Sequence, residues 1–237
     1  MDERVRLFGR LIDGLLSGRD LSREETRWLF EEVLAGTQPE LHQGALLAAL
    51  TAKGPTPQEI AGAWEAIYRR DTVKVRPRVP GPLMDNCGTG MDHLKTFNIS
   101  TAAALVAAAA GVHLARHGAR AITSRCGTVD LAEALGVDVE CEAELVASSV
   151  ENCGIGLFNG TSPRVHPALV RVLSRMRFGS VLNIAASLAN PASPDHAARG
   201  VWSEAMVEPV AEAMREIGYQ RALVFHGQDG RGQSAMD

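Results

Sequence analysis

The sequence predicts an α/β protein in which a small N-terminal helical domain precedes a mostly parallel sheet flanked by helices. Three observations carry this reading. The first seventy residues or so place apolar residues at helical spacing with little strand signal, the segment DTVKVRPRVPGPL interrupts them with three prolines, and beyond Leu83 short apolar runs alternate with helical stretches. Strands alternating with helices pair in parallel through crossovers, so the sheet should be covered on both faces. The domains are expected at 1–72 (helical), 73–82 (linker) and 83–237 (α/β).

Taken in order, LFGRLIDGLL, SREETRWLFEEVLAG, ELHQGALLAALTAKG and TPQEIAGAWEAIYRR read as four helices. Ser22 with Glu25, and Thr56 with Glu59, form capping boxes, while Gly36 and Gly54 stand where helices should end. In the second part GVHLARH, AITS, GVDVE, GIGLF, AARGVW and RALVFH read as strands, and Leu83–Met84 as the end of one more. STAAALVAAAA, DLAEAL, AELVASSVE, PALVRVLSRM and EPVAEAMREIG read as helices. GQDGRGQSAMD follows the last strand without a closing helix, either as a frayed tail or as a break inside the second domain.

Composition narrows the function. Twenty-four basic against twenty-eight acidic residues leave a formal charge of -4, which lacks the global basic field of sequence-independent nucleic-acid binding. An anionic ligand must therefore be met by local clusters. The four cysteines, Cys87, Cys126, Cys141 and Cys153, have no CxxC spacing and adjoin no histidine pair, so they read as reduced thiols. MDERVRLFGR is charged where a signal peptide needs an apolar run, and Ala102 to Val112 is too short to span a bilayer, so no membrane association is expected and the cytoplasm is the default.

Three stretches carry chemistry. In DNCGTGMDHLKTFNIST, Gly88 and Gly90 permit positive φ and close approach of the backbone, and Asn98 to Thr101 start a helix. Backbone N–H groups there, with the hydroxyls of Thr89, Thr96, Ser100 and Thr101, suit phosphate oxygens, and Asp92 suits a ribose hydroxyl or a hydrated cation. Pattern alone serves a glycine turn before a capped core helix equally well. ARHGARAITSRCGTVD surrounds two glycines with three arginines, a histidine and hydroxyls after a strand, which fits either a phosphate-neutralising loop or a solvated basic one. In the third, FNGTSPRVHPALVRVLSRMRFGSVLNIAASLANPASPDH, His166 lies near Arg164, Arg171, Arg175 and Arg177, which could meet a carboxylate or form a solvated helix face. No G-x-S-x-G, HExxH or GxxxxGK[ST] occurs.

Together these stretches resemble the anthranilate phosphoribosyltransferase family, glycosyltransferase family 3, over nearly the whole chain. The family's GTGGD and TFNIST resemble Gly88 to Asp92 and Thr96 to Thr101. Its KHGNRSVSSKSGSAD resembles Arg116 to Asp130, and AALTAKGPTPQEIAG is similar to its helical-domain pattern. The resemblance implies a nucleoside phosphorylase/phosphoribosyltransferase-like fold with a helical domain joined by a returning C-terminal part, paired as a homodimer. It implies magnesium-dependent transfer of the phosphoribosyl group of phosphoribosyl pyrophosphate to anthranilate in tryptophan biosynthesis. The phosphoribosyl pyrophosphate positions it implies are Gly88, Thr89, Gly90, Met91, Asp92, Thr96, Asn98, Ile99, Ser100, Thr101, Arg116, His117, Gly118, Ala119, Arg120, Ala121, Ile122, Thr123, Ser124 and Thr128. For the small aromatic amine it implies Gly88, Ala119, His166 and an arginine without a unique counterpart, Arg171 with Arg175 behind it, and for Mg2+ it implies Ser100 and Asp237.

The chain departs from the family pattern in places. Met91 replaces a glycine, Arg116 a lysine and Ala119 an asparagine; AASLANPA stands where the family has GPLxNPA, and the segment from His166 to Asn183 is shorter. The phosphoribosyl-donor half of the pattern is kept better than the acceptor half. Rival readings are the same donor chemistry on another small aromatic acceptor, a non-catalytic nucleic-acid-binding relative, and a nucleoside phosphorylase. The acidic net charge opposes the second of these, and the third lacks its lysine and serine motifs.

Overall fold

The computed structural model describes residues 3–91, 97–121, 124–176 and 178–228. Four helices open the chain: α1 (Glu3–Leu16), α2 (Arg23–Ala35), α3 (Glu40–Lys53) and α4 (Pro57–Arg70). Both expected capping boxes form. Ser22 and Thr56 accept from the N–H groups of Glu25 and Glu59, whose carboxylates accept in return from the cap N–H groups. Gly36 closes α2 in the left-handed region, where a glycine carries no Cβ penalty.

After the linker come β1 (Leu83–Gly88), α5 (Ile99–Ala109), β2 (His113–Gly118), α6 (Thr128–Ala134), α7 (Ala143–Cys153), β3 (Ile155–Asn159), α8 (Leu169–Leu173), α9 (Val181–Leu188), β4 (His196–Gly200), α10 (Val207–Ile217) and β5 (Arg221–Phe225). The five strands form one sheet in the order β3-β2-β1-β4-β5, with every neighbouring pair parallel. The chain lays strands outward from β1 on one side and then from β4 on the other, so the strand order reverses between them. Ligands bind beside such switch points in open α/β sheets.

The bundle does not keep a core to itself. Phe8, Leu29, Phe30, Leu50, Ile60 and Ile67 belong to the same buried cluster as Ile184 on α9, Val201 after β4 and Val210 and Met214 on α10. Trp64 of α4 donates through Nε1 to the carbonyl of Leu188 at 3.0 Å. Asp71, just past α4, accepts the N–H groups of Ala168 and Leu169 at 2.6 and 2.8 Å, fixing the entry to α8. The helices thus brace α9 from behind. A second cluster packs Ala143, Val146 and Val150 of α7 on Ala115 and Phe158 of the sheet.

Several sequence expectations need correction. Leu83 and Met84 begin a strand rather than end one, because β1 continues through Gly88 to pair with β4. GVDVE is not a strand: Gly136, at φ 87°, turns the chain after α6, and Val139 is buried against Val129 and Ala132. AITS forms no strand where it is described, and Ile122 and Thr123 lie outside the described residues. PALVRVLSRM shortens to α8, and VLNIAASL forms an unforeseen helix, α9, capped by Ser180 with Asn183 in the place of the usual Glu or Gln. On β5, Leu223 is 65% and Phe225 41% exposed. Among the described residues no helix is long and apolar enough to cross a membrane.

Candidate functional site

A cavity of about 500 Å3 opens where β1 and β2 end. One wall is the turn Cys87 to Met91, and the start of α5 with the two residues before it adds Phe97, Asn98 and Ser100. The β2 end and the loop into α6 supply His117 to Ala121 and Ser124 to Thr128. Opposite them stand Leu173 of α8 and Leu182, Asn183, Ala186 and Ser187 of α9, with Gly160 beyond β3.

The polar wall is held from behind. The Thr89 N–H donates to the Gly200 carbonyl at 3.0 Å, tying the turn to β4, and Asn86 Nδ2 donates to the Ser100 carbonyl at 2.8 Å, tying it to α5. Arg116 is buried; its Nε donates to Asn86 Oδ1 at 2.8 Å and its Nη1 to Thr101 Oγ1 at 2.9 Å. Asp130 accepts the N–H groups of Ala121 at 2.8 Å and Gly127 at 2.9 Å, joining the two limbs of the loop. Burial pushes the Asp130 carboxyl up, but these two N–H groups and Arg120 outweigh it and hold the group below the usual carboxylate range. Gly127 admits nothing larger, since a Cβ there would lie 2.6 Å from the Ala119 carbonyl oxygen.

Beneath the cavity lies a buried polar layer. Arg199 Nη2 reaches Asp85 Oδ2 at 3.2 Å, and Arg199 Nη1 donates to Ser187 Oγ at 3.2 Å, so one guanidinium ties β1, β4 and α9 together. Both partners of that ion pair are fully buried. Burial pushes the Asp85 carboxyl up while Arg199 opposes the rise. Burial likewise raises the Cys87 thiol, so this cavity residue stays protonated.

His117 and His166 form the rest of the layer, with Nε2 to Nε2 at 3.1 Å. His117 Nδ1 faces the Ser187 carbonyl at 3.3 Å, and a carbonyl only accepts, so Nδ1 carries the proton. Neutral His117 then accepts at Nε2, which assigns the His166 proton to its Nε2 and leaves His166 Nδ1 as an acceptor facing the Thr72 hydroxyl at 3.5 Å. Desolvation lowers both imidazoles, His117 to about 4 and His166 well below the ordinary value. At neutral pH His117 is an uncharged wall whose two nitrogens are both engaged. It has no lone pair to offer as a base.

The sequence-derived residues divide accordingly. Gly88, Thr89, Gly90, Met91, Asn98, Ser100, His117, Gly118, Ala119, Arg120, Ala121, Ser124 and Thr128 line the cavity. Arg116, Thr101 and Ile99 do not: the first two lock the turn from behind, and Ile99 is 41% exposed outside the lining. Asp92, Thr96, Ile122, Thr123, Arg177 and Asp237 lie outside the described residues. Arg120 lines the cavity, but its guanidinium fans out to Asp130, Glu133 and Glu140, which hold it above its ordinary pKa; Glu133 contributes most. Among the described lining residues Arg125 is the other guanidinium.

On the acceptor side two expectations change. His166 is fully buried below the cavity and reaches it through His117. Arg171 turns to the helical bundle, donating to the Val33 carbonyl at 2.5 Å and to Gln43 Oε1 at 3.3 Å, because the last turn of α2 and the side chain on α3 offer it oxygen acceptors. Arg175 pairs with Glu40 and Arg164 with Glu142. The lining residues unforeseen from sequence include Cys87, Phe97 and Cys126, and the α8–α9 group of Leu173, Leu182, Asn183, Ala186 and Ser187. The S-x-x-N start of α9 was the available signal for the latter group. Among the described residues no group of three or more His, Cys, Asp or Glu side chains is arranged to hold a metal.

Comparison with known proteins accords with this geometry. A model described as the a/b domain of a glycosyl transferase family matches residues 80–236, and one described as its helical bundle domain matches residues 9–70. The anthranilate phosphoribosyltransferase of Methanothermobacter marburgensis is 41% identical over 233 residues, covering 97% of this chain and 66% of that protein. That of Methanosarcina barkeri is 43% identical over 221 residues, 92% of this chain and 59% of the relative. The chain thus spans less than two thirds of the length of these curated relatives. The crystal structure of anthranilate phosphoribosyltransferase from Thermus thermophilus, 38% identical, superposes with a TM-score of 0.75 over 87% of this chain and 62% of that one. The Saccharomyces cerevisiae enzyme in complex with PRPP and Mg, 23% identical, shares the fold at a TM-score of 0.78, over 96% and 67% of the two chains. With both family models matched in chain order, the protein belongs to this glycosyl transferase family.

Proposed function

We propose that the protein transfers the phosphoribosyl group of phosphoribosyl pyrophosphate to anthranilate, with Mg2+, as a pentosyltransferase of tryptophan biosynthesis. The observation that carries this reading is a single cavity with two unlike walls. Thr89, Asn98, Ser100, Ser124 and Thr128 present hydroxyl and amide groups beside a glycine turn and a helix start, and Leu173, Leu182 and Ala186 face them with apolar surface. A phosphorylated ribose suits the first wall and an aromatic ring the second. The names of the relatives point the same way.

In this reading the bond from ribose C1 to the pyrophosphate oxygen breaks as the aryl nitrogen forms its bond to C1, and the amine proton leaves afterwards. An aryl amine is already neutral at pH 7, so the cavity supplies orientation and charge stabilisation, in keeping with a neutral, fully engaged His117. Ser100, an oxygen donor in the lining at the start of α5, fits a magnesium ion that arrives with the pyrophosphate. Bound there, magnesium would neutralise the leaving group. Asp130 shapes the loop around the phosphates, and Arg125 stands in the lining to meet their charge. The site residues derived from sequence remain assigned in this sense where they line the cavity.

A homodimer paired through the helical region belongs to the same proposal, supported by Leu16 at 71% and Leu41 at 87% exposure on α1 and α3. So does cytoplasmic residence, where the four free cysteines stay reduced. A second reading, transfer to a different small aromatic amine, is favoured by Met91 and Ala119 in the lining and by Arg171 facing away from it. Mixing the protein with phosphoribosyl pyrophosphate, magnesium and anthranilate should release pyrophosphate and consume anthranilate fluorescence in step. Binding of phosphoribosyl pyrophosphate without turnover on any aryl amine would sink both readings.

A further inference from the structure

We propose that Met91, seated on Gly179, sets which aromatic acceptor the cavity admits. The identity of the ligand class rests on the phosphoribosyl-transfer reading; the packing that carries the inference does not. Met91 holds φ at 69°, in the left-handed region, where among the described non-glycine residues only Ser193 joins it. A methionine persists there only when its surroundings determine it, and such residues gather at ligand clamps. The determinant is visible. A Cβ built on Gly179 would lie 2.3 Å from Met91 Cε, 2.6 Å from Cγ and 2.7 Å from Sδ, so the thioether lies flat on the bare Cα of that glycine.

The placement gives this contact its consequence. Met91 ends the glycine turn after β1, and Gly179 immediately precedes Ser180, the cap of α9. The contact therefore bridges the hydroxyl-bearing wall to the wall that carries Leu182, Asn183 and Ala186. Met91 itself lines the cavity at that junction. Its flexible, polarisable thioether favours the edge of an aromatic ring and fills the space a larger ring would need. Residues 91 and 179 are consequently a reciprocal large and small pair. Any side chain at 179 must displace Met91.

Calorimetric titration of wild type, Met91→Gly, Met91→Leu, Gly179→Ala and the double variant Met91→Gly/Gly179→Ala tests this, each saturated with phosphoribosyl pyrophosphate and magnesium. The ligands are anthranilate, a ring-substituted anthranilate and a two-ring aromatic amino acid. Met91→Gly should improve binding of the two-ring ligand relative to anthranilate by about tenfold, roughly one pocket contact's worth of discrimination. Met91→Leu should preserve the wild-type ranking. Gly179→Ala should weaken every aromatic ligand, with the double variant recovering; melting curves identify any variant that fails to fold, and the Met91→Gly comparison then decides. An unchanged ranking in folded Met91→Gly overturns the proposal, as does the absence of aromatic binding by wild type. Pyrophosphate release is followed in parallel: aromatic binding without turnover defeats the transfer reading alone and leaves Met91 to be judged by the ranking.

Discussion

The two walls of the cavity are stabilised differently. The wall at the ends of β1 and β2 is backbone held by backbone and by buried polar side chains: Gly200 holds Thr89, Arg116 holds Asn86, and Asp130 holds Ala121 and Gly127. The α8–α9 wall is apolar packing, braced by α4 and by the core it shares with the bundle. Hydrogen bonds fix positions sharply, whereas packing fixes volume and shape. A site that must place charged phosphates and accommodate a flat ring needs both. The lesson is that the two walls should fail independently, except where they share a floor.

The largest effect should come from that floor. Arg199→Ala leaves the Asp85 carboxyl buried without its ion-pair partner, which costs about 3–5 kcal/mol, and it should disturb both walls at once. Asp85→Asn with Arg199→Met should recover much of that stability. Urea unfolding midpoints of the three proteins check this, and if Arg199→Ala costs nothing the shared floor is the wrong description. Acid should act on the same layer. His117 titrates near 4 when folded against 6.5 for the ordinary group, so the unfolded chain takes up protons first as pH falls. The stability is fully present above the unfolded pKa and drains away from about pH 6.5 to pH 4, by on the order of 3 kcal/mol for His117 alone. His166 shifts in the same direction. Thermal melts across that window, compared with a His117→Gln variant whose dependence should flatten, give the measurement.

A smaller effect should separate the walls. Asp130→Ala frees two N–H groups of the polar wall, and loss of charge-assisted hydrogen bonds of this kind is worth about 1.5–3 kcal/mol each. Phosphoribosyl pyrophosphate affinity should fall by roughly tenfold or more while the order of aromatic ligands stays unchanged, both read by calorimetry. A change in aromatic ranking would show that the walls are coupled through the loop. Smallest of all, Thr56→Ala removes one capping box in the bundle at about 1 kcal/mol. It should lower the melting temperature and move neither affinity, a control for effects that act through stability alone.

Much of this could be read from the sequence, for identifiable reasons. The helices of the bundle and their two capping boxes were legible because caps and amphipathic spacing are local, and the turn because Gly90 takes a left-handed backbone that favours glycine, whereas Gly88 stays in β1 and Met91 takes the left-handed backbone unannounced. The partners of Arg116 and Arg120 were not legible for one reason: a guanidinium's charge is written in the sequence, but the groups it pairs with are not. Asn86, Thr101 and the acidic trio of Asp130, Glu133 and Glu140 claim those two side chains from other elements. Arg171 likewise found carbonyl and amide oxygens on the bundle, 138 and 128 residues away in the chain. The α9 wall was not legible because its helix is only eight residues long and mostly apolar, and periodicity alone does not assign so short an apolar run to a helix.

The thiols of the cavity give it a built-in chemical reporter. Cys126 is exposed and lines the cavity, and Cys153 is exposed at the end of α7, outside the lining. Cys87 lines the cavity too, but its half-buried, protonated sulfur should react slowly with alkylating reagents. Mass spectrometry of partly alkylated protein therefore distinguishes occupancy from general reactivity within one molecule: a ligand that fills the cavity shields Cys126 and leaves Cys153 as the internal clock.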